Sequence, residues 1–370
     1  MRKDEAKKYL LSASKRVKDN LKDFYDCFPG DQSENYVYTA WEGISWTEGF
    51  WTGMNLLAYE FTKDKAYLPA IEKQLEYFKN RAEKRIALEH HDLGFLYIPS
   101  CVAKYKLDGD KKARTTALLA SEILCDRFRE KGGFLQAWGE TARAEDYRLI
   151  IDCMMNIPLL FWAFEETGNE KYKNIAKSHL DISLKTVIRK DFTTYHTYYF
   201  DINTGEPLYG KTAQGYSDDS CWARGQAWGI YGTALAYKYT KNPEIEKIFN
   251  GLTDLFISKL PADYVPYWDM VFSDGSGEER DSSAAAIAIC GILEMNKSFQ
   301  NKKYVDIAMK MLKSLSDKYN LCGDESSNAI LSDAMYSKPH GHKAEANIWG
   351  DYFYMEALMR VINPDWVVYW

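Results

Sequence analysis

Ile150-Ile-Asp-Cys-Met-Met-Asn-Ile-Pro-Leu-Leu-Phe-Trp-Ala163 places a single carboxylate, Asp152, at the head of an otherwise apolar run. Aspartate is seldom buried alone, because an ion taken out of water must find a partner or keep its proton. Two readings of Asp152 follow. As a helix N-cap it would accept main-chain N–H bonds. As an acid in an apolar setting it would hold its proton near neutral pH and be able to donate it. The run itself is apolar on all sides, which places it as a helix of the interior.

Working outward from this stretch, the same pattern recurs. Segments that open on an aromatic or acidic residue and continue small and apolar begin near Trp46, Asp92, Asp152, Trp222, Asp281 and Trp349. Each but the last is followed by a turn and a more polar amphipathic helix, over residues 67–84, 111–129, 171–188, 243–259 and 303–319. The sixth inner segment lacks an outer partner, and the amphipathic stretch 3–28 supplies one. All-round apolar helices belong inside and amphipathic ones outside, so the pattern predicts an all-α fold, a closed (α/α)6 barrel of six helical hairpins. An open helical solenoid is the alternative, and the unpartnered last segment favours closure. Two interruptions have strand or loop character, residues 195–201 with the Asn203-Thr-Gly205 turn and residues 264–269. Both are expected on the rim where inner helices begin.

No linker or low-complexity tract divides the 370 residues, so one catalytic domain, 1–370, is expected. Forty-seven basic against 53 acidic residues give a net charge of −6, which argues against nucleic acid or a membrane surface as partner. The seven cysteines show no paired spacing and suggest neither a disulfide framework nor a zinc site. With no apolar leader behind Met1 and no membrane-span-length run, the expected location is cytoplasmic. His90 and His91 point about 100° apart on a helix and lack a His-Glu-x-x-His frame, so no metal and no cofactor are expected. Cys153 and Cys221 read as core packing. The surplus of aromatics, 11 Trp and 27 Tyr, suits the flat faces of sugar rings.

If the inner helices run in one direction, their N-terminal residues meet at one mouth. That gathers Trp46, His91, Asp92, Asp152, Trp222, Arg224, Asp281 and Trp349. Carboxylates for acid–base work, aromatic faces, and Arg and His for an anionic group make a sugar site. Two aspartates near one cavity repel, so one would keep its proton and the other its charge.

His90-His-Asp-Leu-Gly-Phe-Leu-Tyr97, Ile151-Asp-Cys-Met-Met-Asn156, Tyr195-His-Thr197, Ser220-Cys-Trp-Ala-Arg-Gly-Gln-Ala-Trp-Gly-Ile-Tyr231, Arg280-Asp-Ser-Ser283 and Ile348-Trp-Gly-Asp-Tyr352 resemble the unsaturated glucuronyl hydrolases, glycoside hydrolase family 88. The resemblance runs from Trp46 nearly to the C-terminus and implies the same barrel. It also implies a substrate left by polysaccharide lyases, a glycosaminoglycan oligosaccharide with a 4,5-unsaturated uronic acid at its non-reducing end. Position by position, it implies Asp152 as general acid/base and Asp92 as the second essential aspartate. Trp46, His91, Trp138, His196, Gln214, Trp222, Arg224 and Trp228 match positions that line the family's sugar subsites. Two other functions stay open beside this one. One is an unsaturated rhamnogalacturonyl hydrolase acting on pectin fragments, against which the His-His-Asp-Leu-Gly-Phe stretch argues. The other is a non-catalytic sugar-binding barrel, against which the aspartate pair argues.

The loop Tyr336-Ser-Lys-Pro-His-Gly-His-Lys343 resembles the family's Ser-x-x-Ser-x-Lys loop for 6-sulfated units: Ser337 keeps the first position, His340 and His342 replace the second Ser and the Lys, and Lys343 falls one residue late, the alternatives being that Lys338 or Lys343 reaches in instead or that the loop is a solvated rim. A neutral imidazole brings no charge, so weak sulfate binding is expected near pH 7, rising below about pH 6.5 as histidines protonate.

Overall fold

The structure, a computed structural model, describes residues 1–370. Its helices are α1 (Lys3–Asn20), α2 (Glu48–Thr62), α3 (Leu68–Glu83), α4 (Leu93–Tyr97), α5 (Ala103–Asp108), α6 (Lys111–Cys125), α7 (Pro158–Thr167), α8 (Glu170–Thr186), α9 (Ala223–Thr240), α10 (Pro243–Ser258), α11 (Ser282–Asn296), α12 (Lys302–Lys318) and α13 (Ile348–Ile362). A π-helical turn, Ile98–Val102, joins α4 to α5 as one inner segment. Pro99 sits in that turn, where its missing N–H and its ring break the regular ladder.

The inner helices form a closed ring. α9 packs on α11, α11 on α13, α13 on α2, α2 on the α4–α5 segment, α4 on α7, and α7 on α9. That circuit rules out the open solenoid. α1 packs against α13 and α2, filling the outer place that the last hairpin lacks. Sequence character sorts the two layers: α9 is buried without a break from Ala223 to Ala236, whereas α12 buries one stripe that includes Tyr304, Ala308, Met311 and Leu315. Where inner helices come closest, small residues are required, since a Cβ on Gly49 would lie 2.1 Å from the main-chain oxygen of Phe95.

The outer helices fall within a few residues of the expected spans, but α1 stops at Asn20 rather than residue 28. Phe24 and Phe28 beyond it stay buried in irregular chain. Strands are short: β1 (Phe128–Arg129) pairs with β2 (Phe134–Leu135), β3 (Arg148–Ile150) and β5 (Pro207–Lys211) flank β4 (Thr197–Phe200), and β6 (Ala334–Met335) pairs with β7 (Ala344–Glu345). The hairpin β4–β5 is the interruption expected at 195–201, and its turn is held by Asp201 Oδ1, which accepts from the main-chain N–H groups of Asn203 and Thr204. The second interruption bridges Trp222 to Asp269 and Tyr267 to Arg280, beside the starts of α9 and α11. No helix is long and apolar enough to cross a membrane.

One local expectation needs correcting. The run that opens at Ile150 is not helical from its start: Arg148–Ile150 is extended, Ile151–Met155 is a 3₁₀ turn, and the α-helix begins only at Pro158. β-Branched Ile150 pairs with Thr197 across the sheet, and Pro158 occupies the first helical turn, where its lack of an N–H costs nothing.

Candidate active site

The six inner segments start at one end of the ring, and their first residues are those the sequence pointed to. Trp46 precedes Thr47, the residue capping α2; Asp92 caps α4; Trp222 caps α9; Asp281 caps α11; Trp349 lies in the first turn of α13. Asp281 is a true side-chain cap, since its Oδ1 accepts from the N–H groups of Ser283 and Ala284. Asp152 is not. Its Oδ1 is buried and has no hydrogen-bond partner, so the N-cap reading of this carboxylate falls.

Strand pairing brings His196 to Asp152. Ile150 opposes Thr197, and one step further the N–H of Ile151 donates to the main-chain oxygen of His196 at 3.0 Å. The His196 ring accepts at Nδ1 from Ala213 N–H at 3.0 Å and from Gln214 N–H at 3.3 Å. Its proton is therefore on Nε2, which has no protein partner. Burial and the charges of Arg224 and Arg148 push this imidazole down to about 3, so it is a neutral donor at neutral pH.

Asp92 has the opposite surroundings from Asp152. Its Oδ2 accepts from Trp138 Nε1 at 2.9 Å, its Oδ1 accepts from Asn156 Nδ2 at 3.1 Å, and His91 Nε2 lies 3.3 Å from Oδ1. His90 holds the main chain of the same residue, Nδ1 accepting from Asp92 N–H at 3.0 Å. Burial and the charge of Asp152 push Asp92 up, and the Trp138 and Asn156 donors pull it down. Burial raises Asp152 to about 7, opposed by the charge of Arg224. Burial raises both carboxyls, but donors reach both oxygens of Asp92 and none reaches Oδ1 of Asp152, and this difference in hydrogen bonding puts the proton on Asp152 and the negative charge on Asp92.

Arg224 departs from the expectation of a free cation for an anionic group. One terminal nitrogen donates to Asp281 Oδ2 at 3.1 Å and to the main-chain oxygen of Met335; the other donates to Gln214 Oε1 and to the main-chain oxygen of Tyr336, each at 2.6 Å. The guanidinium is also flanked by the rings of Trp222 and Trp349, 4.5 and 5.1 Å from their centroids. Both ends of this fork are thus spent on the protein itself, fixing Gln214 and the loop after β6.

The aromatic residues divide by exposure. Trp138 is 40% exposed and Trp46 is half-buried, with Nε1 donating to the hydroxyl of Tyr336 at 3.2 Å. Trp222 is buried with an unpartnered Nε1. Trp228 is 1% exposed and packs between Phe95 and Phe353, so the structure places it in the barrel core rather than among the polar groups. His91 is equally buried, behind Asp92, and positions that carboxylate instead of facing the opening. Tyr336 and Asn156 had no part assigned to them by sequence reasoning. Both lie inside motifs singled out there, but neither spacing nor chemistry alone marked them. Cys153 and Cys221 are buried and their thiols are pushed up by burial, which fits packing.

Residues 19–364 match the model of Glycosyl Hydrolase Family 88. The chain is 46% identical to the unsaturated chondroitin disaccharide hydrolase of Streptococcus pneumoniae, over 100% of this chain and 94% of that one. A crystal structure of the unsaturated glucuronyl hydrolase from Streptococcus agalactiae superposes with a TM-score of 0.97 at 46% identity, covering 100% of this chain and 94% of that one. An Asp-to-Asn variant of the S. agalactiae enzyme, solved in complex with dGlcA-GalNAc6S, superposes with a TM-score of 0.89 at 42% identity over the same shares.

Proposed function

Since the chain belongs to glycosyl hydrolase family 88, we propose that it removes the 4,5-unsaturated glucuronic acid from the non-reducing end of glycosaminoglycan oligosaccharides made by polysaccharide lyases. The observation that carries this reading is the unequal pair: Asp152 with a buried, unpartnered oxygen beside Asp92 with donors on both oxygens.

An unsaturated uronate is an enol ether, and its C4 is the basic carbon. Asp152 donates its proton to C4, and positive charge develops at C5 and the ring oxygen. Ionised Asp92, held by Trp138 and Asn156, stabilises that charge. Water then adds at C5 and gives its proton to the Asp152 carboxylate, which restores the acid. The resulting hemiketal opens, and the aglycone leaves as the sugar collapses to its open form. No covalent glycosyl-enzyme is formed. Nε2–H of His196, which has no protein partner, is the donor left to hold a substrate oxygen; Gln214 lies beside that ring, and the partly exposed Trp46 and Trp138 offer aromatic faces.

The whole chain, 1–370, acts here as one catalytic barrel. We place it in the cytoplasm, a reading supported by seven cysteines of which none is in a disulfide. The test is incubation with lyase digests of chondroitin, hyaluronan, heparin and pectin while following the ultraviolet absorbance of the ene-carboxylate. Loss of absorbance with glycosaminoglycan digests is expected. No change with any digest overturns the proposal, and loss with the pectin digest alone moves the substrate class.

A further inference from the structure

We propose that Asn156 is a positioning residue that locks the two aspartates into one unit and keeps Asp92 ionised. The side chain is fully buried and makes three hydrogen bonds. Its Oδ1 accepts from the N–H of Phe95 at 2.9 Å, which fixes the orientation of the amide. Nδ2 must then face the other way, and it donates both to Asp92 Oδ1 and to the main-chain oxygen of Asp152, each at 3.1 Å. One amide thus touches the carboxylate of one aspartate, the backbone of the other, and the first turn of the helix that Asp92 caps.

The contact has its own packing requirement. A Cβ on Gly94 would lie 2.4 Å from Asn156 Cα and 2.7 Å from Asn156 Oδ1. Glycine at 94 therefore lets the α4 segment close onto the end of the 3₁₀ turn, and Asn156 fills the seam. Deleting the amide leaves Oδ1 of Asp92 with only His91 near it. The groups facing Asp92 are His90 and His91 from its own segment, Trp138 from the rim, Asp152 and Cys153 from the 3₁₀ turn, Asn156 at the end of that turn, and the Tyr336 hydroxyl from the loop after β6. Asn156 is one of the two that hydrogen-bond to the carboxylate, and it alone also touches Asp152. A donor to an ionised carboxylate favours the ionised form, so its loss moves Asp92 toward protonation.

This inference rests on the roles proposed above for Asp92 and Asp152, but its test has an arm that needs no substrate. The indole N–H of Trp138, bonded to Asp92 Oδ2, reports the state of that carboxylate by ¹⁵N–¹H NMR, with Trp138→Phe assigning the signal. In Asn156→Asp, which keeps the acceptor for Phe95 but has no donor when ionised, and in Asn156→Ala, the midpoint of the Trp138 titration should rise by about one pH unit or more. Kinetically, both variants should lose about 10–100-fold in kcat with KM changed less than about threefold. The acid limb of kcat/KM should move up with the NMR midpoint. Melting curves at the assay pH establish that each variant is folded. A folded variant with an unmoved midpoint and unmoved acid limb overturns the inference, even if activity falls, because a merely structural role predicts that pattern. A wild-type protein inactive on every digest overturns the proposed function, and the NMR midpoint still decides the role of Asn156.

Discussion

Trp138 Nε1 donates to Asp92 Oδ2 at 2.9 Å, while the Trp138 ring lies parallel to the imidazole of His90 with 4.2 Å between centroids. A rim aromatic of the kind expected to carry a sugar is thereby tied to a buried carboxylate. One face is taken by His90, and the indole is still 40% exposed. Ligand contact at the rim and charge at the floor are coupled through one side chain.

Trp138→Phe keeps an aromatic face and removes the N–H. We expect a fall of about 10–100-fold in kcat, since a hydrogen bond to a charged group is lost, with KM little changed. Steady-state kinetics on an unsaturated disaccharide check it. A rise in KM alone would make Trp138 a sugar platform only.

The pH dependence follows from Asp152. A general acid works protonated, and burial raises this carboxyl to about 7, so kcat/KM should fall as pH rises through that value. The acid limb should come from Asp92, which works ionised. A profile that keeps rising above about pH 8 would assign the proton to another group.

Asp152→Asn should lower kcat by about 10²–10⁴-fold and leave substrate binding largely intact. The same change should stabilise the fold. A carboxyl raised from 3.8 to about 7 stabilises the native state fully below about pH 4, and that contribution is lost as pH rises through about 7. The asparagine variant escapes this loss. Its unfolding free energy should exceed that of wild type by up to about 4 kcal/mol at pH 8, with the difference vanishing near pH 4. Urea denaturation at the two pH values is the measurement, and equal stabilities at pH 8 would contradict the assigned burial cost.

Arg224→Ala should act through the fold. Its removal leaves buried Asp281 unpaired and frees Gln214 and the loop at Tyr336, which should cost about 3–5 kcal/mol. Arg224→Lys cannot restore a two-ended fork and should recover only part of that. Full stability combined with a raised KM would return Arg224 to direct substrate binding.

Sulfate should be poorly accepted. On the loop after β6, Ser337 Oγ and His340 Nδ1 are 2.6 Å apart, His342 Nδ1 and Gln32 Oε1 are 2.6 Å apart, and Lys338 is paired with Glu279. These groups satisfy one another. Unsulfated disaccharides should be hydrolysed at least as well as 6-sulfated ones at pH 7.5, compared by kcat/KM. The gain from histidine charging expected below about pH 6.5 moves to more acid pH for His342, whose imidazole is pushed down by burial. A roughly tenfold preference for the sulfated disaccharide would refute the prediction.

The barrel was legible in the sequence because its cause is local and repeated. Apolar segments headed by Trp46, Asp92, Asp152, Trp222, Asp281 and Trp349 can be buried only as an inner ring, and an amphipathic partner follows each of the first five within a few residues, while α1 serves the last. Shared helix direction then puts those head residues at one mouth, so most of the site could be named. What the chain could not declare was hydrogen-bond pairing between distant segments. The strand at Arg148–Ile150 exists because β4 lies beside it, and the strand-to-turn transition that leaves Asp152 Oδ1 buried without a partner depends on that pairing. Arg224 looked free until tertiary structure set Asp281, Gln214 and the loop at Tyr336 around it. The division of labour between two chemically identical carboxylates was likewise decided in three dimensions: donors from Trp138 and Asn156, 46 and 64 residues away along the chain, converge on Asp92, and none reaches the buried oxygen of Asp152. Periodicity reports what must be buried, but the proton follows the placement of a few N–H groups, and only the folded chain determines that.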